Sequence, residues 1–158
     1  MYALLIPLPL ANEILGMTEA DRLDRQMEAL CKQDAGVKIF ETVRVPATAF
    51  DTAERLIIGP FQTLDGGLSR RVVLNAYFID SKTDTLKGRN SSSPGLMPKG
   101  RLSRYQTTIR RAADNKVLGE DVSYGRTGGD FTLNHPSQNH CPKPRSPYIV
   151  QSIFIKEM

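Results

Sequence analysis

The sequence contains no tryptophan, only two cysteines and only two histidines, and each scarcity narrows what the chain does. With cysteines at positions 31 and 141 alone, the paired Cys-x-x-Cys knuckles of structural zinc modules are missing. No Gly-x-Ser-x-Gly elbow, His-Glu-x-x-His pair or Asp-rich calcium loop occurs, which points away from the hydrolases, metalloproteases and calcium sensors that those motifs mark. The glycine-rich YGRTGGD (124–130) has the makings of a phosphate nest but lacks the Gly-Lys-Ser/Thr ending of a P-loop. No cofactor is expected. A membrane-crossing helix needs roughly 20 apolar residues in succession, and the chain has no such run.

What is present is the composition of a folded domain. Apolar residues make up 40% and charged residues 24% of the chain, ordinary values for an ordered soluble protein. At 158 residues the chain is long enough to bury a core without help from metals or partners. We read residues 17–158 as one domain preceded by an apolar segment, 1–16.

That segment, MYALLIPLPLANEILG, has no base ahead of its apolar run, the first being Arg22. A signal peptide would carry one. Two explanations stand: a segment packed on the domain, or the end of a longer export or anchor segment. Pro7 and Pro9 favour the second, because proline suits a chain leaving a membrane helix better than a core strand.

Charge is unevenly placed. Residues 1–36 carry Glu13, Glu19, Asp21, Asp24, Glu28 and Asp34 against Arg22, Arg25 and Lys32. Residues 85–113 carry Lys87, Arg89, Lys99, Arg101, Arg104, Arg110 and Arg111 and no acid. Such a segment attracts phosphates if its bases are free, or is a solvated face, or is neutralised by the acidic N-terminal part. Only Tyr105 supplies a stacking ring within it, which disfavours nucleic acid as a partner.

Periodicity gives α+β architecture: an N-terminal helix packed on a mainly antiparallel sheet of four to six strands with long loops. The helix runs through TEADRLDRQMEALCKQDAG, opened by Thr18 with Asp21 three residues on and closed near Gly36. Leu23, Met27, Leu30 and Cys31 form its apolar stripe. VKIFETVRV (37–45) alternates as a strand, with Phe40 and Glu41 out of phase. Two hairpins follow: 70–88 with a polar turn near 82–84, and 104–125 with its turn at Asp114-Asn115. Residues 87–101 read as an exposed loop, and YIVQSIFIKEM as a closing strand.

The cysteines and histidines pose one question with several answers. Cys31, His135, His140 and Cys141 match the count of a tetrahedral zinc site, but adjacent His140 and Cys141 point to opposite sides of an extended chain. A catalytic Cys–His pair needs an activated thiolate, and an apolar helix stripe disfavours one at Cys31. A Cys31–Cys141 disulfide needs only that the helix end meets the NHCPKP loop, and is favoured if the chain is exported. Two unrelated free thiols are the remaining possibility.

The stretches EALCKQDAGVKIFETVRVP, ADNKVLGEDVSYGRTGGDF and HCPKP resemble small uncharacterised proteins of bacterial envelopes, in which an apolar N-terminal segment precedes a Cys-containing helix end and a β-rich body. The resemblance implies export and no particular activity. The expected function is therefore a non-catalytic binding or structural module of the cell envelope, held by the disulfide. Its place would be the periplasm, free or anchored to the membrane through a segment at or before the N-terminus. The alternatives are a nucleic-acid or phosphate binder built on residues 85–113, and a Cys/His enzyme; the alternative location is the cytoplasm. The expected interaction surface, for a protein or an anionic ligand, comprises Arg89, Lys99, Arg101 and Arg104, with Tyr124 and Arg126.

Overall fold

The computed structural model describes residues 18–88, 100–130, 137–143 and 148–157. The apolar segment 1–16, and with it Arg89, Lys99 and His135, lie outside the described residues.

Helix α1 spans Glu19–Asp34 and begins as its sequence demands. The Thr18 hydroxyl accepts from the Asp21 amide at 3.2 Å, while the Asp21 carboxylate accepts from the Thr18 amide at 2.8 Å. This reciprocal box satisfies donors that a helix start leaves open. Leu23 and Met27 are buried, so the apolar stripe faces the sheet.

The strands are β1 (Gly36–Ile39), β2 (Val43–Val45), β3 (Gln62–Thr63), β4 (Leu68–Val73), β5 (Tyr77–Lys87), β6 (Arg101–Arg111), β7 (Val117–Thr127), β8 (Gln138–Cys141) and β9 (Phe154–Lys156). A five-residue helix, α2 (Ile149–Ile153), precedes β9. Seven strands form one sheet in the order β1-β7-β6-β5-β4-β3, with β8 also on β7, and all its pairs are antiparallel. The outer edge of β7 is thus divided between two strands: β1 pairs with residues 119–122 and β8 with residues 124–127. β2 and β9 form a separate parallel pair.

Each face of the sheet carries its own core. On one, Leu23 and Met27 of α1 meet Leu102, Val122, Tyr124 and Cys141. On the other, α2, β9 and residues 43–58 cover Val73, Ile79, Ile109 and Leu118. Gly119 allows α2 to sit this close: a Cβ there would stand 2.6 Å from Ile153 Cδ1 and 2.9 Å from the Lys38 carbonyl. Sequence parity was lost at several places. The main sheet has seven strands rather than four to six. Residues 37–45 are two strands, because the Phe40 and Glu41 amides both turn to the Leu118 carbonyl and break the ladder. The first hairpin turns at Leu74 and Asn75, both at φ 53°, and not at 82–84, which lie within β5. Residues 149–153 are helical because Ile149 and Ile153, four positions apart, enter the same core.

Candidate functional site

The two cysteines are joined. Cys31 in the last turn of α1 and Cys141 at the end of β8 form a disulfide with Cα atoms 6.1 Å apart. It lies where the partner of β7 changes from β8 to β1, tying the helix to that seam. Both sulfurs are used in the bond, so neither the four-ligand zinc set Cys31, His135, His140 and Cys141 nor a Cys–His nucleophile is formed in this oxidised protein. Among the described residues, no three His, Cys, Asp or Glu side chains gather to hold a metal ion.

The expected anion-binding residues occupy other positions. Tyr124 and Arg126 are only 3% and 5% exposed, covered by α1. The Tyr124 hydroxyl donates to Asp34 at 2.6 Å, and is the largest influence holding the Asp34 carboxyl below its ordinary pKa. Arg126 donates to Asp24 at 2.8 and 3.2 Å and to the Gly128 carbonyl at 2.9 Å. Arg104, half-buried, bridges to Asp34 at 3.2 Å and to Gln106 at 2.6 Å. Arg101 opens β6.

Other bases of the 85–113 segment are likewise engaged. Arg110 pairs with Asp80, and Arg111 with Glu41 and Asp114. Glu41, out of phase in the sequence, stands between β1 and β2 and also accepts from Lys116 at 2.7 Å. That Lys116 bond is the largest influence lowering its pKa. Asp80 is 5% exposed and shared by Arg110 and Arg70, the latter at 2.7 Å. Burial is the largest influence on its carboxyl and pushes the pKa up, but bonds from Arg70 and Arg110 together bring it below the ordinary value. Acids of α1 thus pair with Arg104 and Arg126, and acids elsewhere in the fold with Arg110 and Arg111, so these four bases are engaged internally.

A concave feature lies on the sheet face away from α1. A cleft of about 720 Å³ runs over β6, β7 and β8 and is bounded by Tyr148, Ile149 and Val150 at the start of α2. Strand alternation decides which side chains reach it. Along β7, Val122, Tyr124 and Arg126 are buried toward α1, so Asp121, Ser123, Gly125 and Thr127 lie on the cleft side. Register then sets Thr107 opposite Asp121, Tyr105 opposite Ser123, and His140 opposite Gly125. His140 is exposed there.

Two details give this cleft chemical character. Tyr105 lies against Gly125: a Cβ at Gly125 would be 3.1 Å from Tyr105 Cε2 and 3.6 Å from its hydroxyl. Tyr105 is nevertheless 40% exposed, so its ring meets β7 at one edge while keeping open surface. Second, Asp121 Oδ1 is buried with no hydrogen-bond partner among the described residues. Burial alone raises the Asp121 pKa above its ordinary value. An unsatisfied buried acceptor costs about 1–3 kcal/mol, and a carboxyl perturbed in this way within a cleft marks a candidate site.

The sequence reading missed Asp121, Ser123 and Gly125 while selecting Tyr124 and Arg126 between and beside them. The signal was parity: once Val122 and Tyr124 are assigned to the core, their odd-numbered neighbours belong to the opposite face. Compared with protein-family models, curated proteins and solved structures, this chain matches none.

Proposed function

We propose that this chain is a non-catalytic binding module of the bacterial cell envelope whose ligand occupies the cleft around Asp121. The observation that carries the binding role is the unpartnered Asp121 carboxyl oxygen in a preformed cleft, because a group left unsatisfied in the free protein gains a partner when a ligand arrives. Oδ1 itself is buried, so a ligand donor meets it once the Asp121 side chain shifts toward the cleft. The disulfide supports an oxidising compartment, and hence the periplasm. No described helix is long and apolar enough to cross a membrane, and anchoring through a segment at or before the N-terminus is part of this proposal.

An amide-detected NMR screen of the oxidised chain against a mixed set of saccharides, amines and short peptides tests this reading. Ligand-dependent shifts are expected at Tyr105, Asp121, Ser123, Gly125 and His140. Shifts confined to another surface, or none with the whole set, would overturn it.

A further inference from the structure

The cleft has a shape and a set of groups that select one ligand chemistry. Tyr105 presents an aromatic surface whose Cε2–hydroxyl edge meets Gly125, and the residue is 40% exposed. Aromatic rings combine a large apolar surface with a polar edge, and an exposed ring offers that surface for stacking. Beside it, on alternate rungs of β6 and β7, stand the hydroxyls of Ser123 and Thr107 and the carboxyl of Asp121. Thr107 lies 3.4 Å from the Ser81 hydroxyl, which extends the polar row to β5. At about 3.3 Å per strand residue, the floor from Asp121 to Gly125 is about 13 Å long, which suits a ligand larger than one sugar ring.

We propose that this cleft binds a neutral oligosaccharide, stacked on Tyr105 and hydrogen-bonded through its hydroxyls to Asp121, Thr107 and Ser123. A saccharide ring has an apolar face for the tyrosine and a rim of groups that both donate and accept. The row of short hydroxyl side chains matches that rim, whereas a single ammonium would use the carboxyl and leave the row without partners. Burial of Asp121 works in the same direction, since a desolvated carboxyl pairs with neutral donors without the cost of holding two charges out of water. The inference rests on the binding role proposed above and names the class of its ligand.

The test is a calorimetric and NMR titration of the oxidised full chain with N,N′-diacetylchitobiose, maltotriose and cellotriose, with n-butylamine as the cationic comparison. Tyr105→Ala, Tyr105→Phe and Asp121→Asn are titrated alongside, each first shown by thermal melting to be folded. At least one saccharide should bind saturably with shifts in the cleft. Tyr105→Ala should weaken it about tenfold, through loss of the stacking surface. Tyr105→Phe should bind nearly as wild type, and Asp121→Asn more weakly. Saccharide binding that is indifferent to Tyr105→Ala would overturn the inference. Binding of n-butylamine alone, abolished in Asp121→Asn, would overturn it while leaving a binding module with a cationic ligand. No binding by any of the four probes overturns the saccharide assignment, and the binding role falls with it only if the wider screen also leaves the cleft unshifted.

Discussion

Tyr105 rests on Gly125 across the β6–β7 ladder, at a separation that leaves no room for a methyl group without movement: the added Cβ would stand 3.1 Å from Tyr105 Cε2. Gly125→Ala is therefore expected to tilt the ring into the cleft. Thermal stability should change by no more than about 1 kcal/mol, since the neighbour that must give is a partly exposed side chain. Ligand-induced shifts at Ser123 and His140 should weaken in the same variant. Unchanged binding would show that the ring does not act as a platform.

The Cys31–Cys141 bond closes a loop with a sequence separation of 110. Removing it should cost roughly 4–5 kcal/mol in the chain-entropy description. Urea unfolding with and without a phosphine reductant measures this. In protein taken from its native cells, both thiols should resist alkylation until reduced. Free labelling of both in the native protein would contradict the assignment to an oxidising compartment.

Asp121 should weaken the fold it sits in. Its folded-state pKa is raised by burial, so its stability contribution is complete below the ordinary value of 3.8 and is lost as pH rises through the higher folded value. Asp121→Asn, neutral at every pH, should melt higher than wild type near neutrality, with the gap closing below pH 3.8. A variant that is less stable at neutral pH would mean that the carboxylate has a partner in the folded protein.

Asp80 should behave in the opposite sense. Its carboxyl is held below the ordinary 3.8, so the stability it supplies is present above that value and is lost as pH falls through the lower folded value. Asp80→Asn leaves Arg70 and Arg110 facing each other without their shared anion. A loss of about 2–3 kcal/mol at pH 7 is expected, discounted from a fully buried pair because both guanidiniums keep some contact with water. Equal stability at pH 7 would show that the two arginines find other partners. Arg70 also stands 4.2 Å over the Phe78 ring, a contact the variant retains.

The helix was legible because its stripe, its capping box and its stop agree at every level. The second hairpin was legible for the same reason, with Asn115 at φ 59° in the turn. The first hairpin was not: Leu74 and Asn75 take positive φ without a glycine, while Lys82 and Asp84 resemble a turn but form an ion pair on β5 at 2.9 Å. The cleft was hidden for a related reason. YGRTGGD drew attention as a glycine-rich motif, yet Gly129 serves α1: its carbonyl accepts from the Ala20 amide at 2.9 Å. What mattered was that β7 alternates between a helix-covered side and an open one, which depends on β8 and α2 arriving from far along the chain. Charge neutralisation was visible only as an imbalance of totals, and the particular pairs, Arg126 with Asp24 and Arg104 with Asp34, needed the fold.

The most direct measurement is the titration of the Asp121 carboxyl carbon by carbon-detected NMR, in the free oxidised chain and with a bound saccharide. Among the described residues, the other titratable groups lining the cleft are Tyr105, His140 and Tyr148, while Tyr124 and Arg126 are bonded to Asp34 and Asp24 of α1. In the free protein Asp121 should titrate above 3.8, and ligand should displace its midpoint. A midpoint at or below the ordinary value, unmoved by any ligand that shifts the cleft, would contradict the claim that this carboxyl is held without a partner for a ligand to fill.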